Sequence, residues 1–190
     1  MMINSKHNTD KQLTDVEKIL AFVTNIGIKH RYETLNEKTF LPGIKVAQGT
    51  LLLDLEKCLY PGDILHEAGH IAVTSETNRT CLTGDMKNHD HQAAEEMTAI
   101  AWSWAAACYL NIAPDVLFHQ HGYKGSSASL ITAFSNNTGF GYPLLYSWFM
   151  CEQPDHPNGY PNMLRWLRND AYTQAQLKKI TINTIRNIRA

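Results

Sequence analysis

The segment that most constrains this chain is the pentapeptide His66-Glu67-Ala68-Gly69-His70. On an α-helix, residues four apart project from nearly the same face, so the two imidazoles can reach one metal ion. Glu67 lies beside them, where a carboxylate can take up a proton from a molecule held at that ion. The pentapeptide therefore predicts a helix that carries a metal site.

The residues around the pentapeptide predict the helix that it requires. Pro61-Gly62 is expected to break the chain, Asp63 to act as the N-cap, and residues 64–73 to form a buried helix because of their apolar spacing. Gly69 is expected to allow a neighbouring strand or a substrate to approach closely, since glycine otherwise weakens a helix interior.

The composition restricts the fold and the classes of partner. With 190 residues, 44% of them hydrophobic, the chain can bury a core, and one domain over residues 1–190 is expected. A net charge of -1 and a pI near 6.7 argue against nucleic acid or an anionic membrane as partner. The most apolar stretch, residues 99–113, is shorter than the ~20 residues that cross a bilayer. The sequence does not indicate an oligomeric state.

The cysteines and the N-terminus favour a cytoplasmic location. Cys58, Cys81, Cys108 and Cys151 are widely spaced, which is typical neither of a disulfide framework nor of a zinc ribbon. Residues 1–15 are polar and lack the apolar core of a signal peptide.

The chain before the pentapeptide predicts a small β-hairpin. Two short apolar runs, residues 44–47 and 50–55, flank Gln48-Gly49, which is typical of a tight turn between antiparallel strands. Together with the predicted helices, this hairpin indicates an α+β fold that is mainly helical.

The remaining elements are predicted from helix signals. Thr14 and Glu17 form an expected capping box for a first helix, which Gly27 ends. A second long helix is expected at about residues 91–111. Shorter helices are expected near residues 127–134, 143–151 and 161–169, whereas residues 181–188 fit either helix or strand.

The third protein ligand is expected on the second long helix, because catalytic zinc sites usually have three protein ligands and one open position. At ~100° per residue, Glu96 lies roughly 80° from the centre of the apolar stripe of that helix and Glu95 about 180°. The stripe comprises Ala93, Met97, Ile100, Ala101, Trp104 and Cys108. Glu96 is therefore expected at the edge of the core, where a carboxylate must be paired or bound to metal, and Glu95 in water.

These residues resemble the gluzincin branch of the zincin metallopeptidases, in which His-Glu-x-x-His on one helix precedes Glu-x-x-Ser/Ala-Asp on a later helix. Residues 96–99, Glu-Met-Thr-Ala, match the first four positions of the second motif, while Ile100 replaces the aspartate that orients the first ligand histidine. The resemblance covers about residues 63–104. It implies a zincin-like core and Zn²⁺ as cofactor, held by His66, His70 and Glu96.

Other residues remain open as the third ligand. Glu76 lies where the metzincins place theirs, although a valine stands where their turn requires glycine. His89 and His91 could bind a metal from the polar loop before the second helix. Cys58 resembles the ligand segment of peptide deformylases, but it lies unusually close to the pentapeptide, and a small buried residue is its other interpretation.

The chemistry that these residues predict is hydrolysis. Zinc lowers the pKa of bound water toward ~7, and Glu67 is expected to act as the general base that takes the water proton. Tyr123, His119 and His121 lie in a glycine-bounded loop and are candidate donors to the developing oxyanion, with packing or surface roles as the alternative.

The sequence therefore predicts a zinc-dependent metallopeptidase that cleaves peptide bonds in a peptide or protein substrate by metal-activated water. The alternative is a non-catalytic protein with a structural or degenerate metal site. A helical interaction protein in which the pentapeptide arose by chance is the third interpretation.

Overall fold

The computed structural model describes residues 5–84 and 93–188, and about half of these residues are helical. The helices are α1 (Ser5–Asn25), α2 (Pro61–Val73), α3 (Ala93–Leu110), α4 (Pro114–Leu117), α5 (Ser127–Ser135), α6 (Tyr142–Ser147) and α7 (Asp170–Ile188). The strands are β1 (Lys29–Tyr32), β2 (Ile44–Ala47), β3 (Thr50–Leu53) and β4 (Thr83–Gly84). Two 3₁₀ helices, Arg79–Cys81 and Tyr123–Gly125, lie between them. The predicted α+β class is confirmed.

The predicted hairpin before the pentapeptide is present. Strands β2 and β3 are antiparallel, with Ile44 opposite Leu53 and Ala47 opposite Thr50. Gln48 and Gly49 form the turn with φ of 50° and 69°, the left-handed conformations that a type I′ turn needs. The hairpin leads through a short loop into α2.

Two further strands, which were not predicted, complete a four-stranded sheet in the order β1-β3-β2-β4. β1 is parallel to β3, and β4 is antiparallel to β2. Lys29–Tyr32 is a mostly exposed edge strand with a polar sequence, so it lacks the alternation of apolar and polar residues that predicts a strand. β4 has only two residues. Both strands form because partners distant in sequence satisfy their backbone groups.

Helix α2, which carries the pentapeptide, lies in the core and packs against α1, α3, α4 and β2. All of its residues except His66 are buried. It approaches α3 closely at Gly69, where an added Cβ would lie 2.8 Å from the carbonyl oxygen of Ala99 and 2.9 Å from Oγ of Ser103. Gly69 therefore serves a close helix–helix contact, and not the approach of a strand that the sequence suggested.

Two arginines close the C-terminus of α2, although they are far apart in the sequence. Nε of Arg79 donates to the carbonyl oxygen of Ile71 at 3.2 Å. The backbone N–H of Arg168 donates to the carbonyl oxygen of Ala72 at 2.9 Å. These bonds satisfy carbonyls that the end of a helix leaves without partners. They link the C-terminus of α2 to the 3₁₀ helix that contains Arg79 and to the segment before α7 that contains Arg168.

The predicted beginnings of the first two helices are wrong. The backbone is helical from Ser5, so Thr14 lies inside α1 and does not cap it. No glycine or proline interrupts residues 5–25, and the helix therefore continues through the expected start. Tyr60 occupies the N-cap position of α2 without a side-chain hydrogen bond, and the helix begins at Pro61, whose missing N–H needs no partner at the first helical position. Asp63 lies in the first turn, where its side chain has another partner, described below.

The later helices agree with the prediction only in part. α5 confirms the helix near residues 127–134, α6 is shorter than predicted, and residues 181–188 belong to α7. The helix predicted at residues 161–169 is absent from this described segment, because its backbone groups bond elsewhere. The N–H of Leu164 donates to Met150, and the carbonyl of Trp166 accepts from the indole of Trp102 at 2.8 Å.

Among the described residues, no helix combines the length and the apolar character that crossing a lipid bilayer requires.

Candidate metal centre

His66 and His70 lie on one face of α2, as their spacing requires. Their Nε2 atoms are 3.2 Å apart, and their rings are nearly perpendicular, at 87°, with centroids 4.7 Å apart. His70 is almost fully buried, and His66 keeps 13% of its side chain exposed. One lone pair of each imidazole can therefore point at a single ion.

Glu96 joins the two histidines from the first turn of α3. Its Oε1 lies 3.5 Å from Nε2 of His66, and its Oε2 lies 3.2 Å from Nε2 of His70. Among the described residues, these three side chains form the cluster of potential ligands whose atoms all lie within 4.8 Å of one another. The predicted ligand set is thus brought together by two helices.

The two imidazole nitrogens and the carboxylate oxygen nearest to each, Oε1 for His66 and Oε2 for His70, have separations that fit a zinc ion. Zinc–ligand bonds of about 2.0–2.1 Å at tetrahedral angles place neighbouring donors about 3.3 Å apart. The observed separations of 3.2, 3.5 and 3.2 Å agree with this value. Two imidazole nitrogens and a carboxylate are also the donor types that catalytic zinc sites use.

Glu96 is the residue at the cluster, but the helical phase that predicted it at the edge of the core, and Glu95 in water, is wrong. The side chain of Glu96 is 49% exposed, and Met97, placed in the core by helical phase, is 40% exposed. Glu95, expected in water, is half-buried. From Thr98 to Ala107 the helix is buried on all sides, so it has no single apolar stripe from which a phase can be measured.

The charges around the cluster favour one cation between the imidazoles. Burial, followed by the charge of His70, lowers the pKa of His66 to about 3, against the opposing effect of Glu96. Burial also acts to lower the pKa of His70, but the hydrogen bond that His70 donates to Glu96 and the charges of Glu67, Glu96 and Glu95 outweigh it and raise that pKa. The carboxylates therefore stabilise a single positive charge at this place.

The alternative third ligands lie elsewhere or outside the described residues. Glu76 is an exposed residue in the loop after α2 and is not part of the cluster. Sγ of Cys58 faces the carbonyl oxygen of Tyr60 at 3.9 Å, and burial, followed by the charge of Asp63, raises its pKa to about 11. His89 and His91 lie outside the described residues.

Glu67, the predicted general base, is buried beside the cluster, with 8% of its surface exposed. Its charge raises the pKa of His70 and of Tyr123, so its carboxylate lies within electrostatic reach of both side chains. It follows His66 by one residue and projects from α2 in a different direction from the two imidazoles. This position suits a proton acceptor better than a ligand.

Tyr123, a candidate oxyanion donor, contacts the cluster. Its ring packs edge-on against His66, with centroids 5.7 Å apart, and also against Phe118. Its hydroxyl is buried and has no hydrogen-bond partner in the described part of the chain. Burial and the nearby carboxylates of Asp63, Glu96 and Glu67 raise the pKa of Tyr123, so the phenol keeps its proton and can donate it in a hydrogen bond.

His119 is buried near Tyr123, but its Nε2 faces Oδ1 of Asp63 at 3.0 Å. Its ring stacks on Tyr60, with centroids 3.7 Å apart and an interplanar angle of 8°. Burial raises the pKa of Asp63, and the hydrogen bond to His119 opposes that shift. Asp63 and Tyr60 were not predicted as members of the site, because their partner lies far along the chain.

His121, the third candidate donor, is exposed. Its Nε2 lies 3.1 Å from Nε2 of Gln120, and its ring lies 5.8 Å from that of Tyr60. The structure therefore places Tyr123 against the cluster and His119 next to Tyr123, with ring centroids 6.4 Å apart, and leaves His121 at the surface.

The second nitrogen of His66 has no described partner. Its Nδ1 is buried, and no acceptor for it exists among the residues that the structure describes. The family that the motif resembles places an aspartate where this chain has Ile100, which is buried and apolar. The partner that normally fixes the orientation of a ligand histidine is thus missing from the described residues.

Comparisons of this chain with protein-family models, with curated proteins and with solved structures found no match. The functional argument therefore depends on the geometry of the site.

Proposed function

We propose that this chain is a zinc-dependent hydrolase, a metallopeptidase in which His66, His70 and Glu96 hold the ion. The observation that carries the proposal is the convergence of two imidazoles and one carboxylate. Their Nε2 atoms are 3.2 Å apart, each lies 3.2–3.5 Å from one oxygen of Glu96, and Glu67 is buried beside them. The proposal includes a zincin-like core, since a hairpin precedes the motif helix and a second helix supplies the glutamate.

The ion, when bound, would supply a Lewis acid that polarises a substrate carbonyl and lowers the pKa of water toward ~7. In the described residues the cluster has three protein donors, which leaves a position for water or substrate, as in catalytic sites. The side chain of Glu96 is half-exposed, so the cluster is not closed off from solvent at this residue.

Glu67 is the general base in this proposal. Its buried carboxylate takes a proton from the attacking water and passes it to the leaving amine, which must be protonated before it departs.

Tyr123 is the donor to the substrate oxygen. Its hydroxyl is protonated and buried, and its ring packs against His66, so the hydroxyl can donate a hydrogen bond as negative charge develops on the carbonyl oxygen. His119 is less suited to this role, because its Nε2 is already engaged by Asp63.

The proposal is tested by metal analysis and by hydrolysis of a peptide mixture. Purified protein should hold about one zinc ion per chain, and His66→Ala should lose it. Glu67→Gln should retain zinc while kcat/KM falls by about 10²–10⁴-fold, the usual contribution of a general base. Protein that binds no zinc, or that retains it in His66→Ala, would refute the proposal. Fe²⁺ also uses two histidines and a carboxylate, so both metals should be measured.

A non-catalytic metal site is the second candidate, favoured by the missing partner of Nδ1 of His66 among the described residues. A structural site predicts that chelation unfolds the protein and that Glu67→Gln changes nothing. The Glu67→Gln assay therefore separates the two candidates.

A further inference from the structure

The loop that carries Tyr123 has a backbone conformation that must be held in place. Tyr123 and Lys124 have φ of 52° and 53°, and Gly125 follows with φ of 81°. Residues other than glycine rarely adopt this left-handed backbone conformation, because their Cβ comes too close to the following carbonyl oxygen. Two such residues in succession indicate that contacts elsewhere fix the loop.

The contacts that fix the loop converge on His119. Its Nε2 bonds Oδ1 of Asp63 at 3.0 Å, and both side chains are buried. Tyr60 covers one face of its ring, and the hydroxyl of Ser127 donates to its carbonyl oxygen. A Cβ on Gly122 would lie 2.9 Å from Nε2 of His119, so glycine leaves the space for this bond.

The other end of the bond lies on the motif helix. Asp63 belongs to the first turn of α2, three residues before His66. The same helix therefore carries two proposed zinc ligands and the anchor of the loop. Because an α-helix is rigid over one turn, the bond relates the position of Tyr123 to that of the ligands.

We propose that Asp63 and His119 are positioning residues whose buried bond holds the hydroxyl of Tyr123 beside the metal centre. The role of that hydroxyl in donating to substrate rests on the function proposed above. The placement of the hydroxyl by the pair does not, and it can be measured in metal-free protein.

The test uses ¹⁹F NMR of metal-free protein labelled with 3-fluorotyrosine. The chain has eight tyrosines, and Tyr123→Phe identifies the resonance of Tyr123. In His119→Gln, that resonance should move to the position of a solvent-exposed tyrosine; the resonance of Tyr60, which stacks on His119, should also shift, while the other six stay. Asp54→Asn is the matched control, since Asp54 is another buried carboxylate that anchors a loop, through the N–H of Leu35 at 3.0 Å. It should leave the Tyr123 resonance in place.

A double variant, Asp63→Asn with His119→Phe, covers the case in which His119→Gln unfolds. It removes the bond without leaving a buried charge, and the phenyl ring can still stack on Tyr60. A Tyr123 resonance that stays in place in the folded variants would overturn the proposal. A collapse of all resonances in both would overturn it too, because the pair would then hold the whole fold.

A kinetic cycle tests whether His119 acts through Tyr123. His119→Gln should lower kcat by about 10²-fold with little change in KM, as expected for a displacement of about 1 Å at the site. In the Tyr123→Phe background the same substitution should change kcat less than about 2-fold. Independent losses would contradict a positioning role. If wild-type protein neither binds zinc nor hydrolyses peptides, the proposed function fails, and the metal-free spectra still decide on the pair.

Discussion

Replacing Glu96 by glutamine should remove most of the stabilisation that zinc gives to the fold. Glu96 is half-exposed, so its loss should change the stability of metal-free protein by no more than about 1 kcal/mol, as for a solvent-exposed ion pair. Its carboxylate nevertheless lies 3.2 Å from Nε2 of His70, where it completes the donor set. Zinc dependence, and not intrinsic stability, should therefore reveal its role.

The size of the effect follows from the linkage between binding and folding. Zinc at a free concentration about 100 times its Kd stabilises a protein by about 2.7 kcal/mol if it binds only the folded state. For a chain of this length that is a rise in Tm of about 5–11 °C. If Glu96→Gln weakens binding by about 100-fold, zinc at the same concentration adds only about 0.4 kcal/mol, or about 1–2 °C.

Thermal melts with zinc and with chelator measure both quantities, and Glu95→Gln is the matched control. Glu95 is adjacent and also affects His70 electrostatically, but it is not part of the cluster. It should keep most of the zinc-dependent rise in Tm. The reasoning is refuted if Glu95→Gln abolishes the rise and Glu96→Gln does not, or if wild-type protein shows no rise.

Three further predictions concern the fold around the site. Gly69→Ala should lower the stability by about 1–3 kcal/mol, measured by chemical denaturation, because its Cβ would lie 2.8 Å from a backbone carbonyl of α3; an unchanged midpoint would refute the close helix contact. The hydrogen bond from Leu35, followed by Lys57, lowers the pKa of Asp54, so its stabilisation should be complete above about pH 4–5 and disappear as the pH falls through the lowered pKa. The Tm difference between wild type and Asp54→Asn should therefore close in acid, and a constant difference would contradict this. Since burial raises the pKa of Cys58 to about 11, its modification by a thiol reagent at neutral pH should be far slower than that of the exposed Cys81 and should accelerate about tenfold per pH unit up to pH 10.

The motif helix and the hairpin could be predicted because their determinants are local. Histidines four apart share a helix face whatever surrounds them, and Gln48-Gly49 supplies the turn by its own backbone preferences. The edge strand Lys29–Tyr32 depends instead on pairing with Thr50–Leu53, which no pattern within its four residues indicates.

The third member of the cluster was predicted from an argument that the structure does not support. Helical phase assumed that α3 has one buried face, whereas residues from Thr98 onward are surrounded by the core. What brings Glu96 to the histidines is the close approach of α2 and α3 at Gly69. Such an approach depends on two segments at once, so one helix alone cannot reveal it.

Asp63 illustrates a second limit of prediction from local sequence. An aspartate after Pro-Gly is a good N-cap by local preference, but the structure engages it with His119, 56 residues along the chain. Proline at the first helical position removes one of the N–H groups that a cap would satisfy, and the buried histidine provides Asp63 with another partner. Contacts at this separation come from the fold and have no signal in the neighbouring residues.

The most direct test of the metal centre is anomalous X-ray diffraction above and below the zinc edge, from crystals grown with zinc. The account predicts one strong peak within about 2.0–2.2 Å of Nε2 of His66, Nε2 of His70 and a carboxylate oxygen of Glu96, with a fourth position open to solvent. A peak at other residues, or a fourth protein ligand that closes the site, would contradict it.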